Sequence, residues 1–251
     1  MIYVNKDLIY PARISFAGID EHTDINELVK LTEYGEQHDI TVEFGVLLSG
    51  RNGEEGNNRY PSIDFMKELT DKGLNLSLHL CGKHTGELMK YGTLDGVKEL
   101  LGEDLFNSFQ RIQVNVVGRK TKAPFLDVEG KEIILQTNTN DEYSSKRFDL
   151  YAGGENGKVV FLSDTSGGKG ESGDYQNYGT SWQGYAGGIT PDNVLDVIEK
   201  VNESLQGREQ EYWLDLESGC RENDWFSVDK CRAIVDEVLE ACEKETEREI
   251  W

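Results

Sequence analysis

The chain has 251 residues, with 47 acidic and 26 basic side chains and a formal net charge of −21 at pH 7. Hydrophobic residues make up 37% of the sequence, which is enough for a sizeable core and excludes wholesale disorder. So acidic a chain suits neither nucleic acid nor an anionic membrane surface, because both require clustered Lys and Arg. A small anionic ligand would have to be bound by local dipoles, against the overall charge.

The N-terminal residues predict neither a signal peptide nor a membrane anchor. They contain no apolar stretch, and the sequence has no apolar run of the roughly 18 residues that a membrane-spanning helix needs. The four cysteines are sparse and irregularly spaced, without a CxxC pair or a His/Cys ligand pattern. We therefore expect a cytoplasmic protein with reduced thiols, no metal site and no bound cofactor.

Eight short apolar segments, rich in β-branched and aromatic residues, predict buried strands. These segments are 12–18, 42–49, 74–82, 111–118, 132–138, 159–164, 183–189 and 212–218. Helical patterns lie between many of them: 24–37, 62–72, 85–101, a helix with Thr190 as N-cap and Pro191 as first residue, and a final helix over 231–242.

Strands alternating with helices at this length predict a single (β/α)8 barrel over residues 1–251, with a doubly wound open sheet as the alternative. The segments 117–130 and 166–184 are predicted as long loops. The sequence does not distinguish a monomer from a homodimer.

Polar residues follow many of the predicted strands. In a barrel, the loops after the strands form the active site, so these residues are the first candidates for binding and catalysis. They include Asp20, Arg59, His79, Cys81, Gln113, Asn115, Gln136 and Asp164, of which Gln113, Asn115 and Gln136 are candidates for substrate contact. Because polar strand ends are common in barrels, each residue alone is weak evidence.

Two turns predict an anion site. In AGGITPDNV, Gly187 and Gly188 stand immediately before a helix start, and in LESGCREN, Ser218 and Gly219 form a second small-residue turn. Glycines let the backbone approach a ligand, and a helix N-terminus offers N–H groups to an anion. The alternative is an ordinary strand-to-helix turn. Since both turns follow the seventh and eighth strands, where such barrels bind phosphate, we favour phosphate binding.

The segment FLSDTSGGKGESGDY places Asp164 at the end of a strand, before a loop with four glycines. A carboxylate at such a position can act as a general acid or base if burial raises its pKa. The glycines are typical of a mobile lid. The alternative is an aspartate that only forms a turn.

The order of these motifs resembles phosphoribosylanthranilate isomerase, a (β/α)8 enzyme of tryptophan biosynthesis that performs an Amadori rearrangement. AGGITPDNV is similar to the family's AGGLxPxNV phosphate motif, and LDLESGCREN to its DVSSGVE turn. FLSDTSGGKGESGDYQ is similar to its strand-six signature, an aspartate followed by a GGxG loop. NNRYPS resembles SxRYxS after strand two, and RIQVNVVG resembles VQLHG of strand four, with Asn115 in place of histidine.

The resemblance implies a role for several residues. Asp164 would be the general acid that protonates the ribose ring oxygen, and Arg59 would bind a substrate carboxylate. The phosphate would be held by Gly187, Gly188, Ser218 and Gly219. The implied ligand is a small phosphorylated metabolite.

Two positions depart from the family pattern. The family reads KICG at strand one, where its cysteine is the general base, whereas this chain reads SFAG with Ala17 at that position. Alanine cannot titrate, so we expect weak isomerisation of phosphoribosylanthranilate or none, and Ala17→Cys should raise it. Glu217 replaces a small residue beside the phosphate turn, where its charge would repel a phosphate unless it is turned away.

Another residue could supply the missing base. His79 and Cys81 lie on the same side of the third strand, opposite Leu78 and Leu80. A Cys–His pair in a cleft can form a thiolate or a proton relay, although residues two apart on a strand are about 6–7 Å apart, too far for a direct hydrogen bond. A buried structural thiol beside a hydrogen-bonded histidine is an equal alternative.

The sequence thus favours an isomerase-like enzyme acting on a phosphorylated sugar derivative, with Asp164 as general acid or base. One alternative is a non-catalytic protein that binds a phosphorylated metabolite on the same barrel. The other is a diverged lyase or hydrolase that uses Cys81 or His79.

Overall fold

A computed structural model describes residues 8–116, 120–123, 126, 128, 130–138, 143–151, 158–166 and 173–248 of the chain. Within these ranges, none of the helices is both long enough and apolar enough to cross a membrane.

Eight parallel strands, hydrogen-bonded in chain order from β1 to β8, close into a barrel. Their bounds are β1 Arg13–Ala17, β2 Thr41–Leu48, β3 Leu76–Leu80, β4 Arg111–Val114, β5 Glu132–Thr137, β6 Lys158–Asp164, β7 Trp182–Ala186 and β8 Glu211–Leu216. Each coincides with one of the eight predicted segments, so the predicted (β/α)8 barrel is confirmed and the open sheet is wrong. A short antiparallel hairpin, β9 Arg221–Glu222 and β10 Trp225–Phe226, follows β8.

The helices of the described ranges are α1 Ile25–Gln37, α2 Ile63–Thr70, α3 Lys83–Tyr91, α4 Asp95–Leu101, α5 Glu103–Ser108, α6 Ser144–Tyr151, α7 Val194–Leu205 and α8 Val228–Arg248. α1 and α2 begin where the sequence predicts, because Asp24 and Ser62 accept hydrogen bonds from Asn26 and Phe65 as N-caps. The described residues between β4 and β5, and between β6 and β7, contain no helix, in agreement with the loops predicted there.

Two helix predictions are wrong. The segment 85–101 is two helices rather than one, because Gly92 adopts a left-handed φ of 82° and ends α3. The helix after β7 begins at Val194 with Asn193 as N-cap, so Thr190 is not its N-cap and Pro191 is not its first residue. The Asn193 side chain bonds the Thr190 N–H and the Gly188 carbonyl, which holds 190–193 in a turn.

The chain divides into two compact units. The first unit comprises Met1–Phe16, Thr23–Glu43 and Ser163–Trp251, and the second comprises Ala17–His22 and Phe44–Leu162. The single domain expected over 1–251 stays a prediction, and each unit is described separately below.

The first unit is held by packing of aromatic and aliphatic side chains. The Trp213 ring lies where a Cβ on Gly184 would be, so this position of β7 admits only glycine beside that ring. Trp182 packs on Trp213, with 4.9 Å between ring centroids. On the helices, the Arg232 guanidinium of α8 lies 3.2 Å from the Tyr34 ring centroid of α1, a cation–π contact that joins the two helices.

The second unit buries polar side chains on its strands. Ser77 and His79 of β3 and Gln113 of β4 are at most 4% exposed, and they alternate with buried leucine, isoleucine and valine. One face of each strand is therefore apolar and the other is polar. The polar face is the one that carries the candidate residues at the ends of these strands.

Candidate active site

The turns after β7 and β8 lie against each other in the first unit. Gly219 is buried in the 3-10 turn Ser218–Cys220, and a Cβ at this position would overlap the Ile189 carbonyl oxygen. Any larger residue would force the two turns apart. The sequence predicts that Gly187, Gly188, Ser218 and Gly219 act together, and the structure brings the two turns that carry them into contact.

The turn after β7 has a fixed shape. Gly187 and Gly188 have φ values of 120° and 62°, a backbone conformation that favours glycine. The Asn193 amide donates to the Gly188 carbonyl at 2.8 Å, and its oxygen accepts from the Thr190 N–H at 2.8 Å. Asn193 makes no side-chain cap bond to α7 itself. The turn therefore leads to the N-terminus of α7. The Asn193 side chain does not bond the backbone N–H groups there, so they can bind a ligand.

Asp164 ends β6 and is 4% exposed. Its Oδ1 accepts from the Ser166 backbone N–H at 2.9 Å and from the Ser166 hydroxyl at 2.8 Å. These two bonds hold the carboxylate in one orientation. The Thr165 N–H donates to the Ala186 carbonyl at 3.2 Å, so the end of β6 lies beside the residue that precedes Gly187.

Tyr175 bonds the turn after β7 and lies within the electrostatic influence of Asp164, a role that the sequence does not reveal. Its hydroxyl donates to the Gly187 carbonyl at 3.5 Å, and its ring packs edge-on against Tyr185. Burial raises the pKa of Tyr175 well above its ordinary value, and the negative charge of Asp164 raises it further. The phenol therefore stays protonated, and its proton is directed to the Gly187 carbonyl.

The segment 173–181, which precedes β7, is anchored by hydrogen bonds to Ser163 and Gln183. The Gln176 N–H donates to the Ser163 hydroxyl at 3.1 Å. Gln183 accepts from the Tyr178 N–H at 2.9 Å and donates to the Gln176 carbonyl at 2.6 Å. Three glycines of the predicted lid lie outside the described residues: Gly167, Gly168 and Gly170. The fourth, Gly173, is the first described residue after them.

The charged residues around these turns have neighbours of their own. Arg221 donates from Nη2 to the Asp224 carbonyl at 2.8 Å, within the β9–β10 hairpin, so this interaction directs it toward the hairpin turn. Lys169, another cation of this part of the sequence, lies outside the described residues. Glu217 is half-buried as the residue before the 3-10 turn. An anion here would depend mainly on backbone N–H groups.

Asp215 is a buried carboxylate that the sequence analysis did not single out. It is 8% exposed and pairs in register with Ala186 of β7 and Ser15 of β1. It shares a strand face with Trp213, two residues earlier. Its only sequence signal is an acidic residue inside an apolar strand, Tyr212–Leu216.

In the second unit, His79 occupies a space that two small residues leave open. Its Nε2 lies 3.0 Å from the Ser77 hydroxyl, in a hydrogen bond. The same nitrogen is 2.6 Å from the place where a Cβ on Gly45 would be, and the Ala17 Cβ is 3.0 Å from that place. The imidazole thus sits beside Ala17, the position where the family pattern has its cysteine.

Cys81 lies just past β3 and is the only half-exposed cysteine, because Cys220, Cys231 and Cys242 are buried. Its thiol donates to the His79 carbonyl at 3.9 Å, and the Asn115 amide donates to its sulfur at 3.9 Å. The structure therefore brings Cys81 and Asn115 together at the ends of β3 and β4.

The remaining candidates of the second unit lie at three different places. Arg59 is half-buried in the loop after β2, where its backbone N–H donates to the Asn57 side chain at 2.9 Å. Gln113 and Gln136 are buried in β4 and β5, at 4% and 6% exposure. Asp20 is buried after β1 and accepts from the His22 N–H at 3.0 Å.

Within the described ranges, no three His, Cys, Asp or Glu side chains are grouped so that they could hold a metal ion.

Comparison with known proteins agrees with this architecture. No family model and no curated protein matches the sequence. Among solved structures, phosphoribosyl anthranilate isomerase from Thermus thermophilus is 15% identical, with 91% of this chain and 99% of that chain covered and a TM-score of 0.53. N-(5'-phosphoribosyl)anthranilate isomerase from Pyrococcus furiosus is 14% identical, covering 90% and 98%, with a TM-score of 0.52.

A third match is a phosphoribosyl anthranilate isomerase in complex with reduced 1-(o-carboxyphenylamino)-1-deoxyribulose 5-phosphate. It is 12% identical, with 90% of this chain and 97% of that chain covered and a TM-score of 0.50. At these identities the likeness concerns the fold. The chain has the barrel fold of phosphoribosylanthranilate isomerases. The resemblance predicted from the motifs is therefore confirmed at the level of the fold.

Proposed function

We propose that this protein is an isomerase-like enzyme that acts on a phosphorylated sugar derivative. The observation that carries the proposal is the contact between the turns after β7 and β8, which admits only glycine at position 219. Asp164 lies at the end of the neighbouring strand, β6, in the same unit. A phosphate position and a buried carboxylate so close together suit a substrate with a phosphate at one end and a reacting carbon near the other.

The phosphate would be held by the backbone of Gly187, Gly188, Ser218 and Gly219, together with the N-terminus of α7. Positive-φ glycines and a helix start left open by Asn193 provide N–H groups that suit a phosphate dianion. Glu217 would have to keep its carboxylate away from the phosphate, because like charges repel at short range.

Asp164 would transfer the proton in the first step. Ser166 orients its carboxylate through two hydrogen bonds, from its backbone N–H and from its hydroxyl. An acid that protonates a sugar ring oxygen must be positioned to within a fraction of an ångström, and these contacts support such positioning. Tyr175 would act through its bond to the Gly187 carbonyl, as a residue that positions the turn after β7.

The second proton transfer needs a base, and we assign it to His79. The support is its place beside Ala17, which has no titratable group, and the space that Gly45 leaves for the imidazole. Ser77 would set the tautomer of the ring through their hydrogen bond. Cys81, which Asn115 contacts, is a candidate for the same step.

The substrate would carry an acidic substituent for Arg59, with Gln113, Asn115 and Gln136 as further contacts. The phosphorylated, carboxyl-bearing ligand of the isomerase complex has this chemistry. The loop position and half-burial of Arg59 are compatible with a side chain that meets a ligand. The proposal therefore extends to an N-substituted ribose or ribulose phosphate.

The test is Asp164→Asn, assayed against phosphoribosylanthranilate and related amino-sugar phosphates. The variant should lose turnover, while its affinity for the phosphorylated ligand, measured by calorimetry, should stay close to that of the wild type. Ser163→Ala is the matched control on the same strand, because Ser163 bonds the Gln176 N–H away from Asp164. Detectable wild-type turnover that survives in Asp164→Asn would exclude this role.

A non-catalytic phosphate-binding protein is the second candidate, favoured by Ala17. If the wild type binds these compounds but turns over none of them, Ala17→Cys tests whether the barrel lacks only its catalytic base or has no isomerase activity at all. Turnover that appears in Ala17→Cys indicates an isomerase scaffold without its base. Binding without turnover in both proteins supports the metabolite-binding alternative.

A further inference from the structure

The β2–α2 loop of the second unit, residues 49–62, is ordered although it adds little to the core. It runs from the end of β2 to the start of α2 and carries Arg59. The whole loop belongs to the described part of the chain, and none of its residues 49–60 is buried. Burial of apolar surface therefore contributes little to its order, which depends on hydrogen bonds instead. Compact surface loops of this length are frequently functional.

The Asn52 side chain joins the two ends of this loop. Its amide nitrogen donates to the Leu47 carbonyl and to the Pro61 carbonyl, both at 2.9 Å. Its oxygen accepts from the Ser49 N–H at 2.6 Å. One amide group thus bonds the last turn of chain before the loop and the residue near its other end, so the loop is closed at its base.

A second asparagine, Asn57, holds the part of the loop that carries Arg59. Its side-chain oxygen accepts from the Arg59 N–H at 2.9 Å and from the Tyr60 N–H at 3.2 Å. Its amide nitrogen donates to the Arg51 carbonyl across the loop at 3.2 Å. The Gly53 N–H donates to the Tyr60 carbonyl at 3.1 Å. Because these bonds fix the backbone at Arg59 and directly after it, they fix the point from which its guanidinium extends.

The other arginine of the loop, Arg51, contributes to the shape of the loop itself. Its Nε donates to Glu54 Oε2 at 2.9 Å, and its guanidinium carbon lies 5.9 Å from the centroid of the Tyr60 ring. The ion pair compensates the charge of Glu54, and the ring contact holds Tyr60, which follows Arg59. The two arginines of the loop therefore have different roles, and Arg59 is the one that the proposed function assigns to the substrate.

We propose that Asn52 and Asn57 are positioning residues that hold Arg59 for the acidic substituent of the substrate, so that the β2–α2 loop selects ligands with a carboxylate. This inference rests on the proposed function, in which Arg59 binds that carboxylate. A guanidinium binds a carboxylate in a planar, bidentate geometry, which requires accurate placement. A loop that is ordered before the ligand arrives also loses less conformational entropy on binding.

The experiment compares two ligands by calorimetry. One is reduced 1-(o-carboxyphenylamino)-1-deoxyribulose 5-phosphate, the ligand of the isomerase complex, and the other is the same compound without its carboxyl group. The wild type should prefer the first ligand. Asn57→Ala and Asn52→Ala should each bind it about tenfold more weakly and bind the second ligand as the wild type does. Asn57→Ala should add no further loss to Arg59→Gln, because Asn57 acts through Arg59.

Asn202→Ala is the matched control, since it removes an asparagine of the first unit that bonds the Ile9 backbone with both of its amide atoms. It should leave the preference for the carboxylated ligand unchanged. The proposal is overturned if the wild type shows no such preference, or if Asn57→Ala and Asn52→Ala keep the wild-type preference. Equal weakening of both ligands would show a structural role only and would overturn it as well.

Amide hydrogen exchange separates this inference from the proposed function. The N–H groups of Arg59 and Tyr60 should exchange about tenfold more slowly in the wild type than in Asn57→Ala, because Asn57 accepts hydrogen bonds from both. Equal exchange in the two proteins would overturn the positioning by Asn57. If the wild type binds neither phosphorylated ligand, the proposed function fails, whereas slow exchange would still support the positioning of Arg59.

Discussion

The two units fix their candidate residues by different means. In the first unit, the turns after β7 and β8 are set by the backbone, through positive-φ glycines and the approach of Gly219 to the Ile189 carbonyl. In the second unit, the candidates are set by side chains, as the His79 ring fills the space over Gly45 and the Asn115 amide meets the Cys81 thiol.

The difference indicates which part of the molecule can change its chemistry. A turn fixed by the backbone tolerates few substitutions, so it would preserve a general property such as the proposed phosphate binding. Where side chains of adjacent strands pack together, one can become larger if its neighbours become smaller, so that the total volume is conserved. The large His79 beside the small Ala17 and Gly45 is an example. We infer that the turns of the first unit would determine the class of ligand, whereas side chains at the strand ends, Asp164 among them, would determine the reaction.

Gly219→Ala should have the largest effect, because its Cβ would overlap a backbone oxygen that cannot rotate away. We expect a loss of about 3 kcal/mol in the free energy of unfolding, at the upper end of overpacking costs, and loss of phosphate binding. Urea denaturation and calorimetry measure the two effects. Gly86→Ala, on α3 with no atom within 4 Å of its Cβ, should instead stabilise the protein by up to about 1 kcal/mol. Equal stability of the two variants would refute the close approach of the two turns.

Gly45→Ala tests the side-chain arrangement of the second unit. The new methyl would lie 2.6 Å from His79 Nε2, so the imidazole must move, and we expect a cost of about 2 kcal/mol. His79→Ala removes the obstacle. The double variant should therefore be more stable than the sum of the two single changes predicts, with a coupling of about 1 kcal/mol in a denaturation cycle. Strict additivity would mean that His79 does not occupy this space.

This contrast also explains what could be predicted from the sequence. The eight strands and the caps Asp24 and Ser62 were predictable, because periodicity and N-cap chemistry act locally. The glycines of the two turns were predictable as a pair, since their spacing after apolar strands is visible in the sequence. The start of α7 was not predictable. The Asn193 side chain bonds Gly188 and Thr190 and holds them in a turn, so the helix begins at Val194 and not directly after Thr190.

The neighbours of the candidate residues could not be predicted from the sequence, because they are distant from them along the chain. Tyr175 lies in a polar, glycine-rich segment, and only folding brings its hydroxyl to Gly187. The place of His79 depends on a glycine 34 positions earlier in the chain, on another strand. Contacts between residues distant in sequence leave no periodic signal, so the residue types were predictable and their partners were not.

Asn193→Ala should have an intermediate effect that is confined to the first unit. The variant loses the bonds to the Thr190 N–H and the Gly188 carbonyl, which together stabilise the fold by about 1–2 kcal/mol. Phosphate affinity should fall as well, because the turn loses its shape. Asn202→Ala is the matched control, since Asn202 bonds the Ile9 backbone with both of its amide atoms. It should cost similar stability and leave phosphate affinity unchanged; an equal loss of affinity in both variants would argue against a local role for Asn193.

The smallest expected effect is a pH dependence in the second unit, at His84 in the first turn of α3. Burial lowers the pKa of His84 below its ordinary value, and the positive charge of Lys83 lowers it further, while Glu87 opposes the shift. The folded state therefore favours the neutral imidazole, whereas the unfolded chain binds a proton below about pH 6.5. Stability from this group is fully present above that pH and is lost as the pH falls toward the lowered pKa of the folded state.

His84→Gln removes this contribution, so its unfolding free energy should decline less than that of the wild type between about pH 6.5 and pH 5. Urea denaturation at a series of pH values measures the difference. His22→Gln, which changes an exposed histidine of the same unit, is measured beside it as the matched variant. A wild-type slope in His84→Gln would mean that the imidazole is solvated rather than buried.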